Sequence, residues 1–278
     1  MNAVKVKPPK HLKDLVSFFW YSDFKNPDNS AKTYRILADG LPGIIFQHSN
    51  GNSAVSNVNG VQLPITFLYG QNTSHCTNLI TGEPFIFGVS LRPTAFKSLF
   101  GMDATMISNQ LIDSQHFFSS DIEDILLNAK SPIHIIELFS KRFLNLKSRP
   151  ENTGFFDKYL NHSVRGIRNL SANQIFSDLG ISRRQFQRKF KEHVGVDPET
   201  YYRILRFQKA IHLLLRGDFK KLSDVAYQLC YSDQSHFIRD FKYFSGLTPN
   251  RFLKNGLLNK HISFDKEDFF TPVRLLEC

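Results

Sequence analysis

Three cysteines in 278 residues, Cys76, Cys230 and Cys278, are too few and too scattered for a disulfide framework or a cysteine-ligated metal knot. No apolar run is long enough to span a bilayer, so no membrane partner is expected. The first residues, MNAVKVKPPKHLKD, lack the apolar core of a secretory signal, and the expected location is the cytoplasm. GxSxG, a Walker loop, HExxH and CxxC are all absent, so an enzyme is not expected, nor any cofactor. His48 and His75 fall on or near expected strands without the clustered His/Glu spacing of a metal site; they read as ordinary barrel or surface histidines.

Excess acid is lacking too. Lys and Arg number 35 against 25 Asp and Glu, a net charge of +10. The excess is not spread evenly. Residues 1–154 hold 14 cations and 12 anions, residues 256–278 hold 3 and 4, and residues 155–255 hold 18 and 9. Nearly all of the positive charge therefore lies in one stretch, as a surface that faces phosphates requires.

That stretch contains a repeat. ISRRQFQRKFKEHVGVDPETY can be laid over YSDQSHFIRDFKYFSGLTPNRF with one extra residue near the start of the second copy. Phe186 then matches Phe237, Arg188 matches Arg239, Phe190-Lys191 matches Phe241-Lys242, Gly195 matches Gly246 and Pro198 matches Pro249. In the second copy Phe237, Phe241 and Phe244 form an apolar face at helical spacing. Ser223 and Asp224 are N-cap candidates for its first helix, Ser232 or Asp233 for its second. Gly246 is placed to end that helix and Pro249 to open the next. Two short helices with a tight break at Cys230-Tyr231 have the form of a helix-turn-helix, and two copies make a tandem pair.

From about Phe155 to Lys254 the chain resembles the DNA-binding domain of the AraC/XylS transcription regulators. The resemblance is carried by Ser182, Phe186, Arg188, Phe190-Lys191, Gly195, Pro198, Tyr201, Arg206, Ala210 and Leu213-Leu214, and then by Ala226, Ser235, Phe237, Arg239, Phe241-Lys242, Gly246 and Thr248-Pro249. Three positions depart from the family pattern: Phe176 where a small residue is usual, Cys230 where Gly is usual, and Leu253 where Arg is usual. The resemblance implies a DNA-binding regulator that activates transcription. It also implies double-stranded DNA and RNA polymerase as partners, with a small-molecule effector and a second copy of the chain as further candidates.

Upstream, Leu12 to Tyr21, Thr33 to Leu37 and Gly43 to His48 read as strands, and Asn59-Gly60 as a hairpin turn. Val61, Leu63, Ile65, Phe67 and Tyr69 alternate as a strand with one buried face, and so do Phe85, Phe87, Val89 and Leu91. Helices are expected over Thr94 to Phe100, Asp121 to Ala129 and Ser131 to Leu146. In the last, Ile136, Phe139, Phe143 and Leu146 form a stripe that packs on the sheet or, as the second reading, forms a dimer seam. Trp20, the ILADG and IIF segments and GVSLRP resemble the amino-terminal domain of a subset of the same regulators, which implies a cupin-like β-barrel. The expected fold is thus α+β, an antiparallel cupin-like barrel with helices followed by an all-α domain of two helix-turn-helix units. The expected domains are 1–148 and 155–255, with residues 147–152 as linker and a tail over 256–278 that has no assigned function.

Major-groove reading needs several long polar side chains on one helical face. Arg184, Gln187, Arg188 and Lys191 provide this in the first unit, opposite Phe186 and Phe190. Gln234, Ser235 and Arg239 are the counterparts in the second, with His236 nearby. Arg183, Lys189 and Lys242 are better placed for phosphates, which fix register without reading sequence. Between the units, a helix over Asp197 to Arg216 is about 28 Å long at 1.5 Å per residue. One DNA turn is about 34 Å, so such a spacer can present both helices to one side of the duplex. The competing reading is a small-molecule-binding cupin-like protein, or an enzyme, with an accessory DNA-binding domain.

Overall fold

Ten short strands and eight α-helices make up the described part of the chain. In the computed structural model this is residues 3–25, 30–146, 160, 181–254 and 275–277. The strands are β1 (Val4–Val6), β2 (Val16–Asp23), β3 (Lys32–Ile36), β4 (Gly43–His48), β5 (Val55–Asn57), β6 (Thr66–Tyr69), β7 (Cys76–Ile80), β8 (Phe85–Leu91), β9 (Leu111–Asp113) and β10 (Leu275–Glu277). They form two antiparallel sheets, ordered β1-β2-β8-β4-β6-β9 and β10-β3-β7-β5. The sheets face each other across a cluster that takes Trp20, Ile45, Phe67 and Ile86 from the first and Tyr34, Val55 and Ile80 from the second. The expected antiparallel β-domain with helices is therefore present, in the form of two facing sheets.

The opposite face of the six-stranded sheet is covered by helices. Phe19, Phe46, Phe87 and Val89 pack there with α1 (Ala95–Phe100), α2 (Ile122–Leu127) and α3 (Pro132–Leu146). The Phe139 ring stacks on Phe87 at 6.0 Å and 9°. Ile136, Phe139 and Phe143 are all buried in this core, so the stripe on α3 packs on the sheet and is not an open seam for a second copy.

Two strand expectations need correction. Leu12 belongs to a single 3-10 turn that buries it beside Leu15, and the strand starts only at Val16. The alternation from Val61 to Tyr69 yields a strand only over Thr66–Tyr69, because Pro64 offers no amide to a ladder. Val61 is exposed, while all four residues of β6 are buried, since helices cover one face of the sheet and the second sheet covers the other. The Asn59-Gly60 turn is present: the Gly60 amide donates to the Asn57 carbonyl at 3.0 Å.

The helical half follows from its caps. α4 (Arg183–Val194) opens with a capping box between Ser182 and Gln185. α5 (Pro198–Arg216) starts at Asp197, whose carboxylate accepts from the Thr200 amide, and ends at Gly217. α6 (Leu222–Gln228), α7 (Gln234–Ser245) and α8 (Pro249–Lys254) follow. Asp233 caps α7, as expected for one of the two candidates. Ser223 and Asp224 do not cap α6; the helix starts earlier, and the Asp224 carboxylate reaches back to accept from the Lys221 amide at 3.1 Å. Phe176, the linker 147–152, the start of the helical domain at 155 and most of the tail lie outside the described residues. From the tail, β10 pairs with β3, Leu275 opposite Ile36.

Candidate nucleic-acid interface

The two repeated helices, α4 and α7, owe their orientation to what they bury. In α4 the apolar positions Phe186, Phe190 and Val194 are buried with Leu160, Val196 and Tyr201. This turns Arg183, Arg184, Gln187, Arg188, Lys189 and Lys191 to the exposed side. In α7, Phe237, Phe241 and Phe244 are fully buried against Phe207 of α5 and Phe252 of α8. Gln234, Ser235, Arg239 and Lys242 are exposed. Of the eleven candidate residues only His236 is half-buried. Its Nδ1 lies 3.0 Å from the Ser232 hydroxyl and its ring sits edge-on against Tyr231, which leaves it less available than the other ten.

A charged network missed in the sequence holds α7 on α5. Asp240 is 4% exposed; its carboxylate accepts from Arg203 at 2.7 Å and from Arg206 at 3.0 Å. Arg206, itself 8% exposed, also lies 3.7 Å over the Tyr231 ring. Burial pushes the Asp240 carboxyl up, but the hydrogen bonds and charges of Arg203 and then Arg206 outweigh it and hold the group below the usual carboxylate range. A signal existed: Asp240 directly precedes Phe241 on the apolar side of α7, and a carboxylate at a buried position requires a partner.

The β-domain reaches all the long helices of this half without covering their exposed faces. Leu37 and Ala38, at the exit of β3, are buried in the same cluster as Ile204, Phe207 and Phe244, and the Gln208 amide donates to the Ala38 carbonyl at 2.6 Å. Lys97 of α1 pairs with Glu192 of α4 at 2.7 Å. The Ser108 hydroxyl donates to the carbonyl of Gly195, which caps α4, at 2.7 Å. The His75 Nδ1–H donates to the Tyr243 carbonyl at 3.1 Å in the last turn of α7. The ILADG segment, notable in the sequence only as a turn, is thus an apolar plug for the second unit.

Electrostatically the two helices differ. α4 presents five cations beside Glu192, whereas α7 presents Arg239 and Lys242 and buries its one acid. Guanidinium and amide groups on one exposed face can bridge base edges, and flanking cations can hold phosphates. Among the described residues no group of His, Cys, Asp and Glu could hold a metal ion, and no helix is long and apolar enough to cross a membrane.

Comparison with known proteins agrees with this geometry. Residues 176–255 match the helix-turn-helix domain family, and residues 4–113 match a domain of unknown function (DUF6597). Among curated relatives, the F1 operon positive regulatory protein of Yersinia pestis is 38% identical over 73 residues, 26% of this chain and 24% of that protein. The HTH-type transcriptional activator RhaS of Escherichia fergusonii is 30% identical over 117 residues, 40% of this chain and 41% of its own. The chain thus spans about a quarter to two fifths of the length of these relatives. Among solved structures, ToxT from Vibrio cholerae is 14% identical, covers 84% of this chain and 97% of its own, and superimposes with a TM-score of 0.46.

Proposed function

Since the chain carries an AraC/XylS-type helix-turn-helix domain over residues 176–255, we propose that the whole protein is a sequence-specific DNA-binding regulator that activates transcription. It lays α4 and α7 into successive major-groove segments on one side of the duplex. The observation that carries this reading is the repetition of one exposed polar and basic face on two helices joined by a single 19-residue helix. Arg184, Gln187, Arg188 and Lys191 read bases in the first segment, and Gln234, Ser235 and Arg239 in the second. Arg183, Lys189 and Lys242 hold phosphates, and His236 supports the second helix from its edge. Direct chemistry on a substrate forms no part of this reading.

We divide the chain into an amino-terminal domain over 1–148, a DNA-binding domain over 155–255 and a tail over 256–278. The remaining partners are RNA polymerase, a second copy of the chain and a small-molecule effector of the amino-terminal domain. The expected test is selection of bound sequences from random double-stranded DNA, followed by footprinting. Two half-sites about 10 base pairs apart are expected, the spacing of one helical turn. Binding without sequence preference, or a footprint confined to one half-site, would overturn the two-segment reading.

A further inference from the structure

Between the two sheets lies a cavity of about 650 Å³. Its floor is apolar, with Trp20, Ile45, Phe67 and Ile86. Trp20 lies flat across Gly88 of β8, where a Cβ would meet the indole at 2.1 Å, so the glycine gives the ring its place. The rim is polar and comes from two loops, 72–76 and 109–111. Among the described residues no Lys, Arg, Asp or Glu lines the cavity. A space of this size suits a small organic molecule. A carboxylate or ammonium would enter without a counter-charge, which is strongly unfavourable. An uncharged, mainly apolar molecule with one hydrogen-bonding end fits both floor and rim.

The same two loops hold the ends of both repeated helices. Ser108 binds the carbonyl of Gly195 at the end of α4, and a Cβ on Gly195 would meet the Ser108 hydroxyl at 2.5 Å. His75 binds the Tyr243 carbonyl at the end of α7, and a Cβ on Gly246 would lie 2.6 Å from the imidazole. Both glycines cap their helices at positive φ, +95° and +72°. The loops are also tied to each other. The Asn109 side-chain oxygen accepts from the Thr73 amide at 2.8 Å and from its hydroxyl at 3.1 Å, and the Asn109 amide donates to the Gln71 carbonyl at 2.9 Å.

We propose that the loops 72–76 and 107–110 form a yoke: together they hold the last turns of α4 and α7, and an uncharged, mainly apolar ligand in the cavity they border sets how those turns are held. The proposal rests on the reading of α4 and α7 as the DNA-facing helices, and it names the effector class and its route to them. Separation of the two helices is the quantity a two-segment DNA site is sensitive to, so a shift of the yoke changes affinity without touching either exposed face. A ligand acts this way only through a difference in affinity between the two yoke positions.

The test uses the full-length protein without DNA, so its failure is distinct from failure of the DNA reading. The neutral fluorophore 1-N-phenylnaphthylamine is titrated, then displaced with 1-decanol or with decanoate at pH 7.5. Saturable binding is expected, with decanol displacing it at least tenfold more effectively than decanoate. Amide hydrogen exchange is then measured with and without the fluorophore. Changes are expected over 72–76 and 107–110 and also over 192–197 and 243–248. In Asn109→Ala the fluorophore should bind within threefold of wild type, but the changes over 192–197 and 243–248 should no longer occur together. If that variant does not fold, Thr73→Val weakens the same tie from the other side. Exchange changes confined to the β-domain, full transmission in both variants, absence of saturable binding, or equal displacement by decanoate would each overturn the proposal.

Discussion

The two repeated helices share a spacing but not a way of being held. Laid over each other, Lys189 of α4 stands where Asp240 stands in α7. Lys189 is exposed, while Asp240 is buried between two arginines of α5. The first helix uses this position for charge toward solvent, the second for its own anchorage. The first unit thus carries most of the cations, and the second is the more strongly tied into the molecule. One sequence pattern can repeat faithfully at its aromatic positions while the position between them changes purpose.

The largest effect expected from breaking this contrast is Asp240→Ala. It leaves Arg206 buried without its carboxylate, and loss of one partner of a buried pair costs about 3–5 kcal/mol. Lys189→Ala should change stability by no more than about 0.5 kcal/mol, as for an ordinary surface site. Urea denaturation of both variants measures the difference; equal losses would remove the contrast. The pH dependence has a definite sign. Because the folded Asp240 carboxyl lies below its ordinary range, its stabilisation is fully present above the unfolded Asp value of about 3.9 and fades as pH falls through the folded value. Urea midpoints followed from pH 6 to pH 3 should show this loss in wild type and not in Asp240→Asn.

Next in size are the base-reading arginines. Arg188→Ala and Arg239→Ala should each cost about 1–3 kcal/mol on the selected site and relax preference at one base, the two positions lying about one turn apart. Binding to a systematically substituted site checks this. No change from Arg239→Ala would mean that the second unit does not engage that DNA. Lys189→Ala should have a smaller and more even effect, weakening all sequences alike and lowering the slope of log K against log salt by about one. A base-specific loss there would place Lys189 among the readers instead.

The smallest change should sharpen the likeness of the two units. Cys230 holds φ +58°, where the first copy has Gly180 in the sequence. A side chain in this region costs roughly 1 kcal/mol, so Cys230→Gly should raise stability by about that amount or less. A lower melting temperature would show that the Cys230 side chain contributes more through its contacts than its backbone strain costs.

The helical half was largely legible because its signals are local. Ser182, Asp197, Asp233, Gly195, Gly217 and Gly246 each mark a helix end through groups a few residues away. The exposed faces of α4 and α7 were legible for the same reason, since buried phenylalanines fix what must point outward. The β-domain was less so. Alternation shows one buried face, but β6 and β8 are covered on both, and only the tertiary arrangement decides that. The Arg203–Asp240–Arg206 network and the contacts of Leu37, His75 and Ser108 join residues 34 to 170 positions apart, or come from a turn with no periodicity at all. No window of sequence holds both partners.

The pairing of residues 275–277 with β3 bears on solubility. Without that partner, β3 would be the border strand of its sheet, with a row of backbone amides and carbonyls open to any other extended chain. The segment that shields this row comes from beyond the helical half, some 240 positions away, and is drawn in by a tether of 20 residues after Lys254. Closing so short a loop is entropically inexpensive once the helices are docked, and unfavourable while they are not. Shielding of the border therefore depends on completion of the second half. A chain arrested or clipped before residue 275 would keep its DNA-facing helices and still be prone to self-association through β3.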